Sequence, residues 1–148
     1  RLYGRHGLLQ YQLVVPPQAD GVLRETLRLL RVEGVPVYLA VLKRLGSGSR
    51  AGGMLSFPID GWTLALDIPA AAPRARETLD RLDALVAEAG GRVYLTKDAR
   101  LRRDCLDAMY PQLDSWREAR AKLDPQGVMR SDLATRLGLA GVPTGASA

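Results

Sequence analysis

Apolar and polar positions alternate over Leu8-Leu9-Gln10-Tyr11-Gln12-Leu13-Val14-Val15, and Pro16-Pro17 end the run, which predicts a strand over 8–15. Leu23, Leu27 and Leu30 then recur at i, i+4 and i+7, with Asp20 before them and Gly34 after, which predicts a helix over 19–33. A second strand is predicted over 35–44. A glycine- and serine-rich loop over 46–53, a short extended piece over 54–58 and an Asp60-Gly61 turn follow, then an alternating third strand over 62–68. Leu79, Leu82, Leu85 and Val86 form the inner stripe of a second helix that runs from Pro73 to the Gly90-Gly91 stop. A fourth strand over 92–96 leads into helices over 100–109 and 113–123, and Ser131-Asp132 are placed to cap a last short helix to Leu137. The 141–148 segment reads as a disordered tail.

The order strand–helix–strand, strand–helix–strand is that of an α+β, ferredoxin-like split βαβ antiparallel sheet with both helices on one face, followed by a C-terminal helical segment. One sheet face is then left for a ligand or another domain. Period-two alternation sorts the residues between the faces. Tyr11 and Leu13 share one side of the first strand, and Gln10 and Gln12 the other; Lys43 ends an otherwise apolar face of Leu39 and Val41 on the second. In the third strand Leu64, Leu66 and Ile68 belong under the helices, and Thr63, Ala65 and Asp67 form a small, mildly polar stripe opposite. Two glutamines on one strand face suit a hydroxyl-rich ligand, since each amide both donates and accepts. They suit a solvated sheet face equally well.

Composition narrows the chemistry. With one cysteine, Cys105, and one histidine, His6, the 148 residues cannot build a disulfide, a cysteine-based metal site or a histidine-based triad. No metal is expected. His6, between Arg5 and Gly7, reads as a loop residue. The net charge of +5 comes from basic residues spread along the chain. Nearly all are arginine, so Lys43, Lys97 and Lys122 stand out against a source habit. A base-binding sheet needs aromatics on its central strands, and the only Phe is Phe57, so nucleic acid is not an expected partner. No apolar run is long enough for a transmembrane segment. Arg1 in place of an initiating Met reads as a processed or truncated chain, with function shared between this piece and another.

Several sequence words occur in a family's order and spacing. They are Gly7-Leu8-Leu9-Gln10-Tyr11-Gln12, Val41-Leu42-Lys43-Arg44-Leu45-Gly46, Leu55-Ser56-Phe57-Pro58 and Gly61-Trp62-Thr63-Leu64-Ala65-Leu66-Asp67. After these come Gly90-Gly91-Arg92-Val93-Tyr94-Leu95-Thr96-Lys97-Asp98, Met109-Tyr110-Pro111, Asp124-Pro125 and Ser131-Asp132-Leu133. From Gly7 to about Leu139 the chain resembles the C-terminal part of the decaprenylphosphoryl-β-D-ribose 2-oxidase family. These are vanillyl-alcohol-oxidase-type flavoproteins related to D-arabinono-1,4-lactone oxidase.

The resemblance implies an FAD-dependent oxidoreductase that oxidises a secondary alcohol of a lipid-phosphate-linked sugar by hydride transfer to flavin N5, in cell-wall biosynthesis. Residues 1–98 would be the substrate-binding cap, residues 99–140 would pack back toward an N-terminal FAD domain, and that domain would hold most of the cofactor. By the same resemblance Gln10, Gln12, Leu39, Val41, Lys43 and Thr63 contact substrate. Tyr94, Lys97 and Ala65 lie beside the flavin, and Lys97 is the catalytic residue, supporting negative charge on the reduced ring. Thr63 stands where relatives carry asparagine, and Ala65 where some mycobacterial relatives carry cysteine. The implied partners are a sugar or polyprenyl-phosphate-sugar, the FAD domain and a short-chain reductase acting next. The implied location is cytoplasmic, at the membrane periphery. The alternative reading is a stand-alone ferredoxin-like binding or dimerisation module without catalysis.

Overall fold

The computed structural model describes residues 7–46 and 52–140. His6, residues 47–51 of the predicted loop and the 141–148 tail lie outside the described residues. The elements are β1 (Leu8–Val15), α1 (Gly21–Val32), β2 (Leu39–Leu45), β3 (Gly61–Pro69), α2 (Ala75–Glu88) and β4 (Arg92–Val93), then α3 (Arg103–Met109), α4 (Leu113–Leu123) and α5 (Asp132–Arg136). The sheet order is β2-β3-β1-β4 and every pairing is antiparallel. This is the ferredoxin-like split arrangement expected from the pattern.

Boundaries move where the backbone finds other partners. Val35 turns its N–H back to the Leu30 carbonyl at 2.8 Å and Pro36 has none to give, so β2 begins at Leu39 instead of Val35. β4 has two residues instead of five, because the chain folds into a 3-10 turn over Leu95–Lys97 directly after it. α2 begins at Ala75, since Arg74 takes a left-handed φ of 61° and stops the helix from extending backward.

The stripe on α1 also shifts. Thr26, Leu29 and Leu30 are buried, whereas Leu27 of the expected stripe is 51% exposed. On the α2 side, Glu33 just past the helix end holds both Arg74 and Arg81, at 2.5 and 2.7 Å.

The helix-facing sheet residues Tyr11, Leu13, Val15, Leu64, Leu66 and Ile68 pack on Leu29, Leu30, Leu79, Leu82 and Val86. The same apolar cluster continues through Leu101, Leu106, Met109, Tyr110 and Leu113 to Leu137 and Leu139. The C-terminal helices therefore share the core of the sheet. Tyr110 secures the junction by donating its hydroxyl to the Val93 carbonyl at 2.7 Å. Ser131 caps α5 as its sequence position predicts, accepting from the Ala134 N–H at 3.1 Å.

Candidate functional site

The register aligns the polar residues into one field on the face away from α1 and α2. Gln12 lies opposite Ala65, which lies opposite Val41; Gln10 opposite Asp67, opposite Leu39; and Thr63 is flanked by Val14 and Lys43. Paired residues of antiparallel strands share a face, so all these side chains project to one side. Tyr94 joins them at the far edge, its N–H donating to the Gln12 carbonyl at 2.8 Å.

This face is not uniformly open. At one end Val14 and Thr63 are buried, and the segment over 55–58 faces Thr63 across a cleft there. Arg92 anchors that segment by donating to the Ser56 carbonyl, and Phe57 packs on Tyr94 with ring centroids 4.7 Å apart and planes inclined by 33°. Between the segment and the strands lies a cleft of about 460 Å³. Gln12, Lys43, Thr63 and Tyr94 line one side of it; Leu45 and the segment's own Leu55, Ser56, Phe57 and Pro58 line the rest.

Four of the nine sequence-predicted residues thus meet in one cleft. Gln10, Leu39, Val41 and Ala65 lie on the same sheet face, farther from it along the strands. Leu39 is half exposed, and Gln10 donates to Asp67 Oδ1 at 3.0 Å. Lys97 does not line the cleft. It closes the 3-10 turn that begins at Tyr94, its N–H donating to the Tyr94 carbonyl at 3.1 Å. The Leu55–Pro58 wall was missed as part of the site. Its signal was slight, a lone Phe in a short stretch between a glycine-rich loop and a turn.

The polar groups of the cleft are already organised. Thr63, 2% exposed, donates its hydroxyl to the Leu13 carbonyl at 2.8 Å and accepts from Gln12 Nε2 at 3.0 Å. Its proton goes to the Leu13 carbonyl, and one of its two lone pairs holds the Gln12 amide. Among the lining residues Lys43 is the only charged side chain, so the cleft presents one cation, an amide and the phenol of Tyr94, whose ring pairs with Phe57. That donor set suits an anion that also carries hydroxyl groups.

A second polar group lies under the sheet. Asp83 of α2 accepts from the Tyr11 hydroxyl at 3.0 Å and from both terminal nitrogens of Arg100, which also donates to Asp80 at 2.6 Å. Burial pushes the Asp83 carboxyl up to about 7 against the opposing pull of Arg100, and burial together with the Asp83 charge raises the Tyr11 phenol well above its ordinary value.

The fold is thus a ferredoxin-like sheet whose face away from α1 and α2 carries a cleft with one cation in its lining. Residues 69–137 match the family model described as D-arabinono-1,4-lactone oxidase. The chain is 49% identical over 133 residues to an uncharacterized protein in the mprA 5′ region of Streptomyces coelicolor, covering 90% of this chain and 36% of that one. It is 42% identical over 139 residues to decaprenylphosphoryl-β-D-ribose oxidase of Mycolicibacterium smegmatis, covering 94% and 30%. The resemblance read from the sequence words is borne out: the chain is similar to the lactone-oxidase family model and, over most of its own length, to the decaprenylphosphoryl-ribose oxidase. It spans about a third of the length of the curated relatives it matches. Among solved structures, the regulatory subunit of aspartate kinase from Thermus thermophilus aligns with a TM-score of 0.41 at 20% identity, over 59% of this chain and 48% of that one. Among the described residues no helix is long and apolar enough to cross a membrane.

Proposed function

We propose that this chain is the substrate-facing part of an FAD-dependent oxidoreductase that oxidises a secondary alcohol of a phosphate-linked sugar. The observation that carries this reading is the convergence of Gln12, Lys43, Thr63 and Tyr94 on a cleft whose lining holds one cation and no acid. The relatives' names, a lactone oxidase and a decaprenylphosphoryl-ribose oxidase, supply the reaction class.

The residues present fit one wall of a flavin site: the tilted Phe57–Tyr94 pair offers an aromatic surface, with Lys43 on the same cleft. Tyr94, Ala65 and Lys97 are the residues assigned to the cofactor, whose remaining contacts belong to a preceding FAD domain. FAD supplies the hydride acceptor, its N5. This chain's own part is to bind and orient. Lys43 attracts the phosphate, with a charge-assisted hydrogen bond stronger than a neutral one. Gln12, steadied by Thr63, holds a sugar hydroxyl, and Gln10, Leu39 and Val41 extend the contact along the sheet toward the substrate's apolar part. Lys97 stabilises negative charge that develops on the cofactor. The keto sugar so formed calls for a reductase as the next step, and a lipid-linked substrate places the protein at the cytoplasmic membrane periphery.

Anaerobic stopped-flow reduction of the full-length flavoprotein by a ribose phosphate ester tests this. Lys43→Ala is expected to raise the half-saturating concentration of the phosphate ester by roughly tenfold, the worth of one charged hydrogen bond, and to leave free ribose unaffected. Lys97→Ala should slow reduction at saturation. A wild-type rate in Lys97→Ala removes that role, and a full-length protein without bound flavin sinks the reading as a whole.

A further inference from the structure

The connection from Tyr94 to Arg100 leaves the sheet at the cleft and runs under it, and a closed circuit of bonds returns it to its origin. The Tyr94 N–H donates to the Gln12 carbonyl at 2.8 Å. From Tyr94 the chain makes the 3-10 turn containing Lys97 and reaches Arg100. Arg100 grips Asp83 Oδ2, and Asp83 Oδ1 accepts from Tyr11, the residue beside Gln12 on β1. Asp98 stiffens the same stretch: its Oδ1 accepts from the Arg100 and Leu101 N–H groups at 2.9 and 2.7 Å, and its Oδ2 from Arg136 at 2.7 Å.

We propose that the buried Asp83–Arg100 pair is a positioning device for the cleft, fixing the Tyr94–Lys97 turn against the strand that carries Gln12. Two features argue for geometry over stability. The pair is almost wholly removed from water, with 5% of the Arg100 side chain and 1% of the Asp83 side chain exposed. Buried ion pairs of this kind are often matched or bettered in stability by apolar residues of similar volume. Arg100 also carries a cost that a device for stability alone would avoid, since its Nε is buried without a partner. What the hydrogen-bonded circuit supplies and an apolar one lacks is direction. A planar guanidinium held by two carboxylates has a defined place and plane, and so tethers the stretch of chain that bears it. Alternation places the circuit directly beneath the site: Tyr11 points under the sheet, and its neighbours Gln10 and Gln12 point to the cleft face.

The assignment of Tyr94 and Lys97 to a functional site rests on the reading above; the mechanical claim does not. The test uses the full-length protein and a triple variant, Tyr11→Phe with Asp83→Leu and Arg100→Met, which replaces the circuit by apolar groups of similar size. The variant is expected to stay folded, with amide exchange over 94–99 about tenfold faster and exchange over 113–123 unchanged. Binding of ribose 5-phosphate is expected to weaken about fivefold or more. A folded triple variant with wild-type exchange over 94–99 overturns the proposal. If the triple variant does not fold, Arg100→Lys carries the same readout, and unchanged exchange there is equally decisive. Ribose 5-phosphate that fails to bind the unaltered protein counts against the proposed ligand, while the exchange measurement still decides the circuit.

Discussion

Gly61 offers the sharpest test of how closely the strands are joined beside the cleft. It opens β3 with φ 155°, next to the Trp62–Val15 pair, and a Cβ placed on it would stand 1.9 Å from the Val15 carbonyl oxygen and 2.9 Å from its carbon. The obstacle is backbone, so no side-chain rotation relieves it. Alanine here must part the ends of β1 and β3, two residues from Thr63 and its bonds to Leu13 and Gln12. A side chain in the positive-φ region costs about 1–2 kcal/mol. The forced separation of packed strands adds about 1–3 kcal/mol. At roughly 2–4 °C per kcal/mol for a chain of this size, Gly61→Ala should lower the melting temperature by roughly 4–20 °C. Two controls separate the contributions. Gly34 has φ 67° and nothing within 4 Å of an added Cβ, so Gly34→Ala should show only the conformational cost, about 1–2 kcal/mol. Gly21, at the start of α1, has open space and no positive φ, and Gly21→Ala should be neutral or stabilise by about 0.5–1 kcal/mol. Thermal and urea unfolding of the three variants measures the series. Should Gly61→Ala and Gly34→Ala melt within a degree or two of each other, the close approach of Val15 to Gly61 is refuted.

Two further outcomes follow from the polar groups. Thr63→Val keeps the shape of the side chain but removes the donor to Leu13 and the acceptor for Gln12, at a cost of about 1–3 kcal/mol, whereas Thr63→Ser should recover most of it; the urea midpoints decide. Asp83 gives a pH dependence of definite sign: with its carboxyl pushed up to about 7 in the folded chain, the folded state keeps a proton that the unfolded chain, at the ordinary carboxylate value near 3.8, has lost. This contribution to stability is complete below the unfolded value and lost as pH rises toward the folded one, so Asp83→Asn should flatten the fall in urea midpoint between about pH 4 and 7. An undiminished slope in that variant would show that the carboxyl titrates elsewhere.

What was legible in the sequence is what backbone periodicity controls. Alternation in β1 and β3 fixed which side chains share a face, and the register bears this out down to Gln12 opposite Ala65 and Thr63 beside Lys43. The ends of β2 and β4 were not legible, because they depend on where single N–H groups go, the Val35 N–H to Leu30 and the Lys97 N–H to Tyr94. Nor was the exposure of Leu27, since a helical stripe shows which residues can face a core and not how the helix is rolled upon it. The site divides along the same line. Residues on regular strands were placed correctly on one face, but the cleft exists because an irregular segment, Leu55 to Pro58, lies over them, and no period announces that. The same limit altered the meaning of Thr63. Read as a hydrogen-bonding group offered to a ligand, it also donates to Leu13 and accepts from Gln12 inside the protein, so the polarity of the cleft is mainly that of Gln12, Lys43 and Tyr94. Buried polar residues under the sheet follow the opposite logic: Tyr11 sat in an apolar strand face as an ordinary position, and nothing in the pattern singled out Asp83 on the buried side of α2. Only their meeting with Arg100, which the pattern placed at the start of a helix that begins at Arg103 in the structure, shows that the three form one buried polar cluster.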